Sequence, residues 1–181
     1  MFDTQSVRRG VAAAAVVVAS LLVLTVRPVS AQIRADEYGV KAAFLFNLAK
    51  FVQWPPVDSS ERLDIGVIGD DFFGTTLDHL VRGKRIQGRE LVVRRLRRDD
   101  DLRGIDIVFV ASREGRHVAD ILSRMPGTGI LTVGETPDFL NEGGAARFYF
   151  ERNRMRVEVD GLRAANAGLK ISSQLLSLAG R

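Results

Sequence analysis

The sequence predicts an α/β fold of three layers, in which an open, mostly parallel sheet carries helices on both faces and ends in an antiparallel β-hairpin. Short apolar runs alternate along the chain with segments of helical periodicity, which is typical of strand–helix–strand units. Residues 105–111, IDIVFVA, are almost continuously apolar and rich in β-branched side chains, as expected of a central strand covered on both faces. Near the C-terminus, two segments of alternating polarity flank residues 152–153 and predict the hairpin.

The first 31 residues have the pattern of a cleaved secretory signal. Arg8 and Arg9 precede an apolar run over residues 11–26, and the small residues VSA follow at 29–31. We expect cleavage after Ala31 and export of the mature protein from the cytoplasm. An uncleaved anchor helix is the alternative, although an apolar run of this length is marginal for spanning a bilayer.

The rest of the chain, residues 32–181, is predicted to form a single domain. It is long enough to bury a core, and neither a low-complexity linker nor an internal repeat interrupts it. The chain has no cysteine, which excludes disulfides, thiol catalysis and cysteine-held metals.

The charge of the chain indicates what kind of partner to expect. The predicted signal contains Arg8, Arg9, Arg27 and Asp3, so its removal lowers the formal net charge from +4 to +2. A nearly balanced charge is not the footprint of a nucleic-acid-binding protein. We therefore expect no nucleic-acid partner.

The domain is predicted to begin with a helix over residues 36–53, which Pro55 and Pro56 would end. Projected at 100° per residue, one wide face of this helix is apolar and is expected to pack on the core. That face holds Val40, Phe44, Leu45, Leu48, Phe51 and Val52, with Tyr38, Ala42 and Ala49 beside it.

The opposite face of this helix carries an aromatic side chain that core packing does not explain. Asn47, Lys50 and Gln53 define the polar side, and Phe46 falls among them, as does Trp54 if the helix continues that far. Such an aromatic predicts contact with another protein, a second copy or the C-terminal segment of the same chain. Phe46, Lys50 and Trp54 are therefore the candidate partner-binding residues.

The remaining elements follow in alternation. The predicted strands are 63–69, 90–96, 105–111 and 129–133, and the predicted helices are 72–81 and 115–125, with a helical turn at 136–140. After the hairpin, Asp160 is expected to cap a short helix that Gly168 ends. A last amphipathic segment carries Ile171, Leu175, Leu176 and Leu178.

The hairpin prediction includes its register. A two-residue loop at 152–153 pairs Glu151 with Arg154 and, farther from the turn, Arg147 with Glu158. Both are pairs of opposite charge, and the apolar side chains then share the other face. A slip by one residue would remove both matches, so the register is strongly specified.

A second candidate site lies where the strands end, because open α/β sheets bind ligands beyond the carboxyl ends of their strands. Asp70 and Asp71 follow the first of these strands, and Ser112 follows the central one. These three residues are the candidate ligand crevice. The structural alternative is that Asp71 caps the helix that follows while Asp70 shapes the turn.

Motifs that carry catalysis are missing from the sequence. Neither GxSxG nor a phosphate-binding GxxxxGK[ST] occurs. His79 and His117 have no second ligand at metal-binding spacing beside them. We therefore expect neither an enzyme nor a metal or other cofactor.

Several motifs, taken in order, resemble the YfiR-like family of periplasmic regulatory proteins. They are EYGVKAAFLFNLAKFVQWP, IGVIGDDFFG, KRIQGRELVVRRL and AGLKISSQLLSLA, behind the export signal. The resemblance covers essentially all of residues 32–181. The aromatic helix and the AGLKISS segment are specific in combination, although neither is diagnostic alone.

The resemblance implies a compact α/β domain that regulates rather than catalyses. The best-known member binds the periplasmic sensor region of an inner-membrane diguanylate cyclase and holds it inactive, which lowers cyclic-di-GMP and biofilm formation. An OmpA-like outer-membrane lipoprotein sequesters that member, which also dimerises. The same partners, and a homodimer, are therefore implied for this chain. Redox control is not, because that member uses cysteines and this chain has none.

The residues also leave a second function open. A periplasmic small-ligand receptor would use the crevice near Asp70, Asp71 and Ser112.

Overall fold

The structure is a computed structural model that describes residues 29–56, 61–152 and 154–179. The chain divides into two units, residues 1–34 and residues 35–181. Of the first unit only the beginning of a helix at residues 29–34 is described, so the predicted signal over 1–31 lies almost entirely outside the described residues. Within the described part, no helix is both long enough and apolar enough to cross a membrane.

The elements alternate along the chain much as the sequence predicts. The helices are α1 (Val29–Lys50), α2 (Thr75–Val81), α3 (Val118–Ser123), α4 (Gly161–Asn166) and α5 (Ser173–Leu178), and a 3₁₀ helix (Ser112–His117) precedes α3. The strands are β1 (Val52–Gln53), β2 (Arg62–Ile68), β3 (Arg85–Ile86), β4 (Arg89–Leu96), β5 (Ile107–Val110), β6 (Leu131–Gly134), β7 (Ala146–Glu151), β8 (Arg154–Val159) and β9 (Lys170–Ile171).

Seven of these strands form one sheet in the order β3-β4-β2-β5-β6-β7-β8. The five inner strands are parallel, whereas the two edge strands, β3 and β8, are antiparallel to their neighbours. β1 and β9 form a separate antiparallel pair. The predicted fold class, a mostly parallel α/β sheet with a C-terminal antiparallel hairpin, is therefore confirmed.

Helices cover both faces of the sheet, and the central strand β5 shows this directly. Ile107 and Phe109 belong to a core cluster with α1 and α2, whereas Val108 and Val110 belong to a second cluster with α3. All four side chains are at most 1% exposed. A strand buried on both faces needs an unbroken apolar run, and that explains the composition of this segment.

The hairpin has the predicted register. Glu151 pairs with Arg154 and Arg147 pairs with Glu158, and the Arg147 Nη2 lies 2.8 Å from the Glu158 Oε2. One detail differs from the expectation. The Glu151 carboxylate forms its ion pair with the diagonal Arg156, at 3.5 Å, rather than with Arg154 opposite.

The first helix ends three residues before the predicted end. After Lys50 the backbone turns into β1, whose two residues pair with β9, and the Ser172 N–H donates to the Phe51 carbonyl oxygen at 2.9 Å. Pairing with a distant segment thus satisfies backbone groups that helix continuation would have satisfied locally. The prediction that the helix continues to residue 53 is wrong for that reason.

The buried face of α1 also differs from the projection. Val40, which was expected in the core, is 42% exposed, and Lys41 is only 5% exposed. Tyr38, Leu45 and Val52 share the buried face with Lys41. The helix is therefore rotated about its axis so that the charged side chain of Lys41 enters the interior, where it meets Glu135 at the end of the sheet.

Candidate functional site

The carboxyl ends of β2 and β5 lie side by side, and the residues after them form the predicted crevice region. The Asp70 carboxylate is 2.6 Å from the Arg113 guanidinium. The Ser112 backbone N–H donates to the Glu135 Oε1 at 2.7 Å. Ser112 also lines an open hollow of ≈ 390 Å³, and neither Asp70 nor Asp71 is among the residues that line it. The structure therefore brings Asp70 and Ser112 to neighbouring strand ends but not into one cavity.

Asp71 shapes the turn before α2, but it does not cap that helix as the structural alternative had it, because the N-cap is Gly74 and no side chain caps the helix. Its Oδ1 accepts hydrogen bonds from the N–H groups of Phe73 and Gly74, at 3.1 and 3.2 Å, in the turn that leads into α2. Its Oδ2 lies 2.8 Å from the Arg95 Nε. Because backbone donors and a guanidinium engage this carboxylate, it stabilises the turn before α2.

A buried polar cluster at this end of the sheet was not anticipated from the sequence. Lys41 of α1 forms ion pairs with Glu37, one helical turn earlier, and with Glu135, which follows β6. The side chains of Lys41 and Glu135 are 6% and 5% exposed. The Tyr38 hydroxyl donates to the Glu135 Oε1 at 2.8 Å, and the Ser112 N–H donates to the same oxygen. The Glu135 carboxylate, which follows β6, thus connects α1 with the residue that follows β5.

Tyr38 provides a pH test of this cluster. Burial, followed by the negative charge of Glu135, raises the pKa of the phenol well above its ordinary value of 10.0. The unfolded chain therefore binds fewer protons than the folded protein above pH 10, and the stability that is complete below that pH is lost as the pH rises towards the folded pKa. Above pH 10, the free energy of unfolding should fall more steeply for the wild type than for Tyr38→Phe, by up to about 1.4 kcal/mol per pH unit.

Denaturant unfolding of the two proteins at a series of alkaline pH values measures this difference. Equal slopes would mean that the phenol is not held protonated beside Glu135.

The candidate partner-binding residues lie at the other end of α1. Phe46 is half-buried against the core, and the Lys50 Nζ is 4.0 Å from the centre of its ring. Lys50 is exposed and also donates to the Asn47 Oδ1 at 3.2 Å. The attraction between an ammonium and an aromatic face is weak at an exposed site, so Lys50 lies over Phe46 but does not bury its ring. The structure thus brings Phe46 and Lys50 together.

Trp54 is not part of that surface. It follows β1 rather than continuing α1, and only 8% of it is exposed within the main core cluster. Its indole Nε1 has no hydrogen-bond partner among the described residues. The expectation that Trp54 points to the same side as Phe46 is wrong, because the helix ends before reaching it.

An open apolar groove of ≈ 460 Å³ borders the exposed side of α1. Its apolar walls come from Phe44 and Phe51 in the first segment, Phe148, Met155 and Val157 of the hairpin, and Leu175 of α5. Asn47 and Arg156 supply its polar rim. Asn47 is therefore shared between the groove and the Phe46–Lys50 pair, so we define the α1 surface as Phe46, Asn47, Lys50 and the groove beside them. Sequence spacing could not show this groove, because three distant segments build it.

A metal centre has no candidate in the described part of the chain. There, no three histidine, aspartate or glutamate side chains are grouped in a way that could hold a metal ion. The α1 surface instead combines apolar walls with a polar rim.

Comparison with protein families shows where this fold and surface belong. The model of the YfiR/HmsC-like family matches residues 38–180, from the Tyr38 of the buried cluster to the end of the described chain and one residue beyond. The chain belongs to this family. YfiR/HmsC-like proteins are periplasmic regulators linked to cyclic-di-GMP signalling.

A solved structure supports the fold independently of sequence. The chain is similar to a conserved domain protein from Vibrio cholerae O1 biovar El Tor, with a TM-score of 0.51 and 11% identity. The match covers 78% of this chain and 58% of that one, so this chain spans less than two thirds of that protein. A search of curated protein sequences finds no match.

Proposed function

We propose that this YfiR/HmsC-like protein is a non-enzymatic regulator in the periplasm that binds and represses the sensor region of an inner-membrane signalling enzyme. Family membership supports a regulator of cyclic-di-GMP signalling, so we take the enzyme to be a diguanylate cyclase. Repression of the cyclase then lowers cyclic-di-GMP. The single observation that carries the binding role is the open apolar groove that Asn47 of α1 borders.

The chemistry of the α1 surface defines the partner segment. Apolar walls in a groove open to solvent favour an apolar segment, which removes their surface from water on binding. Lys50 is exposed on the same helix and donates to Asn47, which lines the groove, so it places positive charge near the rim. We therefore propose an apolar segment with acidic flanks, because opposite charge at the rim speeds and orients association.

Phe46→Ala is expected to weaken binding of the cyclase's periplasmic region at least about tenfold, as truncation of an aromatic anchor in an interface does. Tyr149→Ala is the matched control. Tyr149 is also half-buried beneath a cation, with Arg147 at 4.9 Å from its ring, but it lies on the opposite face of the sheet. Titration calorimetry of each variant against that periplasmic region gives the two affinities.

The two variants lead to distinct outcomes. Loss of affinity in Phe46→Ala with retention in Tyr149→Ala supports the α1 surface. Equal loss in both contradicts the surface, and absence of binding by the wild type contradicts the proposed partner.

An OmpA-like outer-membrane lipoprotein is the second proposed partner, through the family resemblance. If it binds the same α1 surface, the two partners exclude each other. Adding the lipoprotein should then release the cyclase region in proportion to its occupancy.

A further inference from the structure

The strand β8 forms one edge of the large sheet, and among the described strands it pairs only with β7. The Asp160 N–H, just beyond the end of β8, donates to the Ala145 carbonyl oxygen at 2.9 Å. Hydrogen-bonded and non-hydrogen-bonded pairs alternate along an antiparallel ladder, so this bond fixes which residues of β8 bond to β7. They are Arg154, Arg156 and Glu158.

The residues between them direct their backbone N–H and C=O groups away from β7. These residues are Met155, Val157 and Val159, and no backbone group in the described part of the chain bonds to them on that side. Proteins commonly shorten or cover such edges, and the opposite edge strand of this sheet, β3, has only two residues. β8 has six, so its open edge is long enough to accept a further strand.

The open edge adjoins the groove of the α1 surface. Side chains alternate between the two faces of a strand, and the residues with open backbone groups are those whose side chains face α1. Met155 and Val157 line the groove together with Phe44 and Phe51 of the first segment. A strand added to β8 would therefore run along the border of this groove.

Exposed apolar side chains extend the same surface in both directions. The large apolar residues that are most exposed in the described chain, from 42% to 74%, are Val40, Phe150, Leu162 and Leu176. Phe150 lies beside β8 near the hairpin turn, and Val40 lies on α1 one turn before the groove residue Phe44. Leu162 follows β8 in α4, and Leu176 follows the groove residue Leu175 in α5. Such clustering of exposed apolar side chains is typical of an interaction surface.

A second copy of this chain does not fit this surface. The β8 of a second copy would bring Met155 and Val157, whose side chains pack in their own core and are 9% and 7% exposed. They cannot enter the groove of the first copy as well. The occupant must bring a free strand and apolar side chains that are not yet buried, as an extended segment of another protein does.

We propose that an extended segment of the partner protein adds to β8 as an eighth strand of the sheet. Its backbone bonds to the open N–H and C=O groups of Met155, Val157 and Val159. Residues directly opposite each other across two strands point to the same face, so every second side chain of the segment lies on the side of the groove. The segment is therefore apolar at alternate positions over about five residues, the length from Met155 to Val159.

This inference rests on the function proposed above, because it takes the partner to be the periplasmic region of the cyclase. It adds the backbone conformation and the residue pattern of the segment that binds. In strand addition the backbone hydrogen bonds supply affinity, and the pockets for alternate side chains supply specificity.

Amide hydrogen exchange, measured by NMR on the free protein and on its complex with the cyclase's periplasmic region, tests the strand addition directly. The N–H groups of Met155, Val157 and Val159 should exchange at least about tenfold more slowly in the complex. The N–H groups of Arg156 and Glu158 already bond to β7, so they are the internal control and should be protected in both samples.

Two variants at Val157 separate the backbone contribution from that of the side chain. Val157→Pro removes the outward N–H, whereas Val157→Ala keeps it and only truncates the side chain. Proline is tolerated on an edge strand where its missing N–H faces outward, and circular dichroism checks that both variants fold. Val157→Pro should bind the cyclase region at least about tenfold more weakly than Val157→Ala, because it loses a hydrogen bond to the added strand.

The outcomes distinguish this inference from the function on which it rests. Outward amides that stay unprotected in a saturated complex, or equal affinities of the two folded Val157 variants, would overturn the strand addition and leave the proposed function standing. Absence of binding by the wild type would overturn both. Outward amides that are already protected in the free protein would overturn the strand addition, because the chain itself or a second copy would then occupy the edge.

Discussion

Replacing Lys41 with methionine is expected to lower the free energy of unfolding by about 3–5 kcal/mol. The substitution removes the cation that neutralises Glu135, whose side chain is 5% exposed, and leaves that carboxylate buried without a charge partner. Tyr38 and the Ser112 N–H still donate to it, but neither carries a positive charge. Urea unfolding monitored by circular dichroism gives the difference.

Two controls distinguish the effect of breaking the buried Lys41–Glu135 ion pair from the effect of removing any lysine. Lys50→Met changes an exposed lysine on the same helix and should cost less than about 0.5 kcal/mol. Lys41→Met combined with Glu135→Gln should be less destabilised than Lys41→Met alone, because no charge is then left buried. A Lys41→Met variant as stable as Lys50→Met would contradict the buried cluster.

Gly144→Ala is expected to destabilise the fold by about 3 kcal/mol, at the upper end for overpacked cores. A Cβ at Gly144 would lie 2.1 Å from the Cδ1 of Phe139, and a Cβ at Gly134 would lie 2.2 Å from its Cδ2 on the other edge. Phe139 is fully buried. The ring therefore has no direction in which to move, and the backbone itself must shift.

Gly127→Ala is the matched control, because nothing lies within 4 Å of a Cβ at that position. It should leave stability within about 0.5 kcal/mol of the wild type. Thermal unfolding of both variants measures the two effects. If Gly144→Ala is tolerated as well as Gly127→Ala, Phe139 is not packed against these glycines.

The parts of the fold that were predicted correctly depend on local patterns. The apolar run of β5 requires burial on both faces, and the alternation around residues 152–153 permits one register only. Both signals are complete within about a dozen residues of the chain. The sheet class and the hairpin pairing could therefore be read from the sequence.

The parts that were missed depend on distant residues. Lys41 enters the interior because Glu135, 94 positions later, meets it there. A helical projection treats lysine as a marker of the polar face, so it assigned Val40 to the core in its place. The Glu37–Lys41 spacing of four was the local signal of an ion pair, but it could not show that the pair is buried.

The candidate site was predictable only in part. Phe46 was identified because an aromatic among polar neighbours breaks the helical pattern, and the structure places it on the half-exposed side of α1. Trp54 does not lie on that side, because β1 takes the place of the last predicted helical turn. The groove combines α1, the hairpin and α5, so it appears only after folding.

The most direct measurement of the proposed function is the rate of cyclic-di-GMP synthesis by the intact cyclase in membranes, with this protein supplied on the periplasmic side. The wild type should lower the rate in a saturable manner, Tyr149→Ala should lower it equally, and Phe46→Ala should require at least about tenfold more protein. A synthesis rate that does not change at any concentration of the wild type would contradict repression through the α1 surface.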